Sequence, residues 1–201
     1  MARRSPSLPR GLKPLIPSGR IGTRLKMMAA EISSTIPKSE RPIAVVVLQG
    51  AFIFAADLLR ALPADYPIDV AFLRCQSYGS GTISSGRVML LQDLDSEIDL
   101  RGRTVLLIDD ILDTGLTMKF LVDHLRKRGA KKVRLCVLLR RKLNPAAKVR
   151  ADFCGFAVGQ DFVVGYGLDF DGRHRNLADL AALQPPAPKK SKRPGRKRGA
   201  S

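Results

Sequence analysis

The sequence predicts an α/β fold, a mostly parallel twisted sheet flanked by helices. Apolar, β-branched runs of strand length recur along the chain, segments of helical spacing lie between them, and Gly or Pro marks the junctions. Strands buried on both faces read as near-continuous apolar runs, and their alternation with helices requires parallel crossovers.

Residues 21–36 set Ile21, Leu25, Met28, Ala29, Ile32 and Ile36 close to a 3.6-residue period, which predicts an amphipathic helix. Residues 43–48 form a continuous apolar strand. Gly50 breaks it, helical spacing resumes over 52–62, and Pro63 ends that segment. Residues 69–74, 104–109 and 133–139 predict further strands, and 153–156 and 162–164 shorter ones. Residues 116–128 predict a helix with Leu116, Phe120, Leu121 and Leu125 on its apolar side, and Gly129 suits its left-handed C-terminal position. The Ser/Gly-rich residues 77–87 read as a loop or hairpin, either a plain linker or a lid beside an active site.

With 201 residues and 45% hydrophobic content, the chain fits one domain with tails. No run approaches the roughly 18 apolar residues of a membrane span, so a soluble protein is expected. The net charge of +17 sits mainly at the ends: residues 1–20 hold five Lys/Arg, residues 186–201 hold seven, and neither segment contains an acid. Both are Pro-containing and poor in packing residues, which predicts disordered tails over 1–20 and 184–201 around a domain at 21–183. Nucleic acid is a partner only through these tails. The prolines and the lack of an apolar stretch after Arg3 and Arg4 argue against a targeting segment. Cys75, Cys136 and Cys154 form no CxxC and lie in apolar runs, which suits reduced core thiols in a cytoplasmic protein. His124 and His174 lack metal-ligand spacing and read as ordinary surface or helix-face residues.

The chemistry concentrates in residues 105–117, where a buried strand runs into Asp109, Asp110 and Asp113 and then Thr114, Gly115, Leu116 and Thr117. Ligands of open parallel sheets bind at the carboxyl ends of strands, so Asp109 and Asp110 emerge where a ribose or metal could sit. Gly115 allows close backbone approach, and successive N–H groups at a helix start cradle a phosphate. Asp113 alone could be a helix N-cap. Three acids around a strand end, followed by Thr-Gly-x-Thr, favour a site instead. A Walker B strand would need a Walker A loop, but Arg87-Val88 follows Gly86 where Lys and Ser/Thr are required.

This thirteen-residue stretch resembles the phosphoribosyl pyrophosphate motif of type I phosphoribosyltransferases, and the resemblance extends over roughly residues 21–180. Asp at position 113 looks like the hypoxanthine-guanine members. Residues 47–52 resemble the family's pyrophosphate loop, with Gln49 and Gly50 at its centre. Ser77 and Tyr78 resemble its lid, and 161–169, followed by Arg175, its purine-binding segment.

The resemblance implies the type I phosphoribosyltransferase fold with a small hood over the purine site. It also implies transfer of a phosphoribosyl group to a 6-oxopurine, hypoxanthine or guanine, and a homodimer or homotetramer. Asp109 and Asp110 would contact the ribose and, with Asp169, the cofactor Mg2+, while residues 113–117 hold the 5′-phosphate and Asp113 acts as general base. Phe162 would stack on the purine, Val163 would offer backbone groups to its edge, and Arg175 would grip pyrophosphate. Two positions depart from the family pattern: Gln49 stands where Lys is usual, in a loop whose peptide can be cis, and Arg141, next to Lys142, stands where a Lys donates to the purine 6-oxygen. A regulatory nucleic-acid-binding protein on the same fold is the second reading.

Overall fold

The computed structural model describes residues 8–78, 87–141 and 149–184. Five parallel strands make most of the main sheet: β2 (Ile43–Leu48), β3 (Asp69–Tyr78), β5 (Thr104–Leu112), β6 (Lys132–Arg141) and β7 (Phe153–Val158). The edge strand β4 (Arg87–Gln92) pairs antiparallel with β3, giving the order β4-β3-β2-β5-β6-β7. A second sheet, in the order β1-β9-β8, joins β1 (Leu12–Ile16), β9 (Leu180–Leu183) and β8 (Val163–Val164) and forms the hood.

Alternate residues of the central strands serve opposite layers, as the two-residue strand period demands. Ala44, Val46, Leu106 and Ile108 pack with α1 (Ser18–Thr35) and α2 (Phe52–Ala61). Val45, Val47, Val105 and Leu107 pack with α3 (Leu116–Lys127). Helix α1 buries the expected stripe of Ile21, Leu25, Met28, Ala29 and Ile32. The stripe on α3 is rotated from the expected one: Met118, Leu121 and Leu125 are buried, while Phe120 is 36% exposed and stacks on the His124 ring.

Two expected boundaries move. Residues 12–20 belong to the fold rather than to a tail, because β1 pairs with β9 and α1 starts at Ser18. Proline does not oppose this: β1 is an edge strand, where Pro14 is tolerated, and Pro17 has the extended backbone that precedes a helix. Ser77 and Tyr78 lie in β3 rather than in a loop, opposite Val88 and Arg87, because the β3–β4 ladder continues that far. The rest of the expected loop, residues 79–86, lies outside the described residues, as do Lys142 and both chain ends, residues 1–7 and 185–201. Among the described residues, no helix is long and apolar enough to cross a membrane.

The chain leaves β2 for β3 on one side and later enters β5 on the other. The carboxyl ends of β2 and β5 therefore flank a topological switch point, where doubly wound sheets hold their ligands.

Candidate active site

A cleft of about 350 Å3 opens at that switch point, lined by Val47, Leu48, Gly50, Cys75, residues 109–115, Thr117 and Met118. Strand pairing explains its position. β2 pairs with β5 only as far as Val46 opposite Ile108, whereas β6 accompanies β5 to Leu112 opposite Arg140. Strand β5 thus continues past the expected end at Asp109, because β6 still offers partners for its backbone groups. Asp109 and Asp110 are held on one side and open to the cleft on the other.

Asp109 is only 9% exposed, and its Oδ1 accepts the Asp110 N–H at 2.9 Å. Burial, reinforced by the charge of Asp110, holds its carboxyl well above the usual range. Burial also raises Asp110, against the opposing pull of the Ile111 N–H, Asp109 and the Arg175 charge. A carboxyl raised in the folded state favours the fold when protonated, and that stabilisation is lost as pH rises from the ordinary carboxylate value through the raised one. Asp109→Asn is therefore expected to stabilise the protein at pH 7. Urea denaturation in a chelator at pH 7 and pH 4 checks this, since the advantage should shrink at the lower pH.

The Leu48–Gln49 peptide is cis, and Gln49 is exposed beside Gly50. A Cβ at Gly50 would fall 1.7 Å from Asp110 Oδ2, so this position admits only glycine while the Asp110 side chain stays in place. Gly115 takes the N-cap position before α3 with a left-handed φ of 76°. That position is thus held by Gly115 rather than Asp113, which is exposed and lines the cleft. The Leu116 N–H lies 3.4 Å from Thr114 Oγ1, and the first-turn N–H groups of α3 follow directly from the strand end.

On the hood side, Phe162 is 46% exposed and meets Phe170 edge-to-face at 5.2 Å, while Val163 is buried in β8 opposite Ala182. Tyr166 donates its hydroxyl to Asp57 Oδ2 of α2 at 2.5 Å, which ties residues 161–169 to the main domain. The same segment abuts the Gly50 loop: a Cβ on Gly167 would lie 2.5 Å from the Gly50 carbonyl oxygen. Arg141 Nη1 donates to the Gly159 and Asp161 carbonyls at 2.5 and 2.7 Å, and its Nε is buried without a hydrogen-bond partner.

Asp169 does not join Asp109 and Asp110 in one acidic cluster. Among the described residues, no group of three or more His, Cys, Asp or Glu side chains is placed to hold a metal. Asp169 instead pairs with Arg175 at 2.8 Å and accepts the Gly172 N–H at 2.7 Å, because the chain folds back in a tight turn there. Arg175 also donates to the Gly167 carbonyl at 2.7 Å. Cys75 packs partly buried against the core, as expected, and also lines the cleft. Burial and then the charges of Asp109 and Asp110 push its thiol up to about 11, so it stays protonated and unreactive. The Tyr166–Asp57 bond carried no local signal, since its partners stand 109 residues apart.

The phosphoribosyl transferase domain model matches residues 18–171. The chain is 44% identical over 173 residues to the hypoxanthine-guanine phosphoribosyltransferase of Aquifex aeolicus, covering 86% of this chain and 95% of that one. It is 40% identical to the enzyme of the same name from Bacillus subtilis, over 86% of this chain and 93% of the relative. A crystal structure of a hypoxanthine-guanine phosphoribosyltransferase from Bacillus anthracis superposes with a TM-score of 0.78 at 33% identity, over 85% of this chain and 98% of that one.

Proposed function

The chain belongs to the phosphoribosyl transferase family, and from that premise we propose that it transfers the 5-phosphoribosyl group of phosphoribosyl pyrophosphate to N9 of hypoxanthine or guanine. The products are IMP or GMP and pyrophosphate, a purine-salvage reaction. The observation that carries this reading is the run from Asp109 to Thr117, which brings acids, a left-handed glycine and a helix start into the switch-point cleft.

In the reaction the N9 lone pair forms the bond to the anomeric carbon, and the bond from that carbon to pyrophosphate oxygen breaks. Asp113 takes the proton that leaves N7. The N–H groups of residues 114–117 and the hydroxyls of Thr114 and Thr117 hold the 5′-phosphate. Asp109 and Asp110 accept hydrogen bonds from the ribose hydroxyls, Gln49 and the Gly50 backbone face the pyrophosphate, and Arg175 turns from Asp169 toward it. Ser77 and Tyr78, at the end of β3, would cover the reacting carbon.

Two adjacent carboxylates fit Mg2+, a hard cation that takes one or two protein carboxylates and completes its shell with substrate oxygens and water. When bound it supplies positive charge to the departing pyrophosphate. Asp109 and Asp110 would hold the ion, with Asp169 free to join them once Arg175 has turned to the pyrophosphate.

Phe162 stacks on the purine face and Val163 presents backbone groups to its edge. Arg141, anchored by the Gly159 and Asp161 carbonyls, donates to the 6-oxygen. Base–aromatic stacking is worth about 1–3 kcal/mol, so Phe162→Ala is expected to raise KM for hypoxanthine by roughly 5- to 160-fold and leave KM for the sugar donor within twofold. Steady-state kinetics with each substrate varied in turn checks this. Cytoplasmic location and a homodimer or homotetramer complete the reading.

The deciding experiment compares nucleotide formation from hypoxanthine, guanine, xanthine and adenine with Mg2+. Turnover with hypoxanthine or guanine and none with adenine is expected. No turnover with any base would overturn the reading, and the relatives' transferase character gives the regulatory alternative no support.

A further inference from the structure

Residues 165–168 form a tight turn, closed by hydrogen bonds in both directions between Gly165 and Leu168 at 3.0 Å. Gly165, Tyr166 and Gly167 are left-handed in succession, with φ of 94°, 51° and 99°. Glycine takes such values freely, but a tyrosine does so rarely, because its Cβ crowds the backbone there. Surrounding contacts must hold Tyr166 in place. Its ring belongs to the core layer beneath α1 and α2, only 7% of the residue is exposed, and its hydroxyl donates to Asp57 Oδ2 at 2.5 Å. A buried tyrosine ordinarily needs such a partner to satisfy its hydroxyl. Here the location of the partner adds a second consequence. Asp57 lies on α2, the helix that follows directly from Gln49, Gly50 and Ala51, and its other oxygen is engaged by Arg60. Gly167 packs on the same loop so closely that a Cβ would lie 2.5 Å from the Gly50 carbonyl oxygen. Gly167 is also tied to Arg175 twice: its N–H donates to the Arg175 carbonyl at 3.0 Å, and its carbonyl accepts from Arg175 Nη1 at 2.7 Å.

We propose that Tyr166 is a positioning residue: its bond to Asp57 locks the purine-binding segment to helix α2 and thereby fixes the distance between the base and the pyrophosphate loop at Gly50. This rests on the catalytic reading above. Phe162 and Val163 lie before the turn, Asp169 and Arg175 after it, and Gly50 against it, so a shift of Tyr166 moves the two substrate sites relative to each other. Each substrate keeps its own contacts in such a shift, but the approach of N9 to the anomeric carbon is lost. An error of about 1 Å in that approach costs on the order of 10²-fold in rate. Burial and the Asp57 carboxylate both push the Tyr166 hydroxyl upward, so it stays protonated and the bond persists at neutral pH.

Tyr166→Phe removes the bond and keeps the ring. It is expected to lower kcat by about 10- to 100-fold, while KM for hypoxanthine and for the sugar donor each stay within about threefold. Asp57→Ala should give the same loss, and the double variant no more than either single one. Asp57→Asn, whose amide oxygen still accepts the hydroxyl, should keep kcat within about threefold. A hydroxyl that serves stability alone would lower the urea midpoint and leave kcat of the folded protein unchanged. Amide hydrogen exchange needs no turnover: in Tyr166→Phe it should quicken at residues 49–52 as well as at 163–168. Absence of turnover in the unaltered chain would sink the catalytic reading, with the exchange result still deciding the coupling. Unchanged kcat in Tyr166→Phe, additive losses in the double variant, or faster exchange confined to residues 163–168 would overturn the proposal.

Discussion

Asp113→Asn is expected to lower kcat by about 10²- to 10⁴-fold, the range for removing a positioned general base. The affinity for phosphoribosyl pyrophosphate should stay within a few-fold. The amide keeps the size and hydrogen-bonding reach of the carboxylate but cannot take the N7 proton at neutral pH. The residue is exposed at the cleft wall and the amide is nearly isosteric with the carboxylate, so the substitution carries little cost to folding. Single-turnover kinetics beside direct titration of the sugar donor separates the two effects. Unchanged turnover would remove Asp113 from the base role, whereas a parallel loss of donor binding would assign it to the phosphate cradle.

Gly50→Ala is expected to lower kcat/KM for the sugar donor by at least about 10²-fold, because misplacement of a positioning group by about 1 Å has effects of that size. The new methyl carbon would lie 1.7 Å from Asp110 Oδ2 and 2.6 Å from its Cγ, so the carboxylate must swing out of the cleft. Backbone strain is not the cause, as Gly50 is not among the positive-φ glycines. Overpacking of this kind costs typically about 1–3 kcal/mol. The double variant with Asp110→Ala should recover stability in urea but not activity, since the space returns and the carboxylate does not. Full activity in Gly50→Ala would show that Asp110 can work from another rotamer.

Much of the fold is legible in the chain because its signals are local. The continuous apolar runs of β2 and β5 need burial on both faces, and α1 carries its buried stripe at the expected positions. The α3 stripe was misphased because Leu116 and Phe120 are apolar residues on the margin of the packed face, while Met118 completes its centre. Hydrophobicity alone does not choose between two overlapping stripes. The extension of β5 through Asp109 and Asp110 was hidden for a different reason: acids are poor strand residues in isolation, and only the neighbouring β6 supplies partners for their backbone.

The sequence by itself determined the α/β class, the strand-to-helix junction and the acid–Gly–Thr order that carries the proposed chemistry. Each depends on residues a few positions apart, whose spacing sets local conformation directly. Tertiary structure alone decided that Cys75 lines the cleft, that Asp169 is engaged by Arg175, that Tyr166 holds the hood to Asp57, and that residues 12–16 close the hood sheet against β9. Apart from the short-range Asp169 turn, these contacts join distant parts of the chain. No periodicity encodes such meetings; they follow from which strand edges and helix faces remain unpaired once the central sheet has formed.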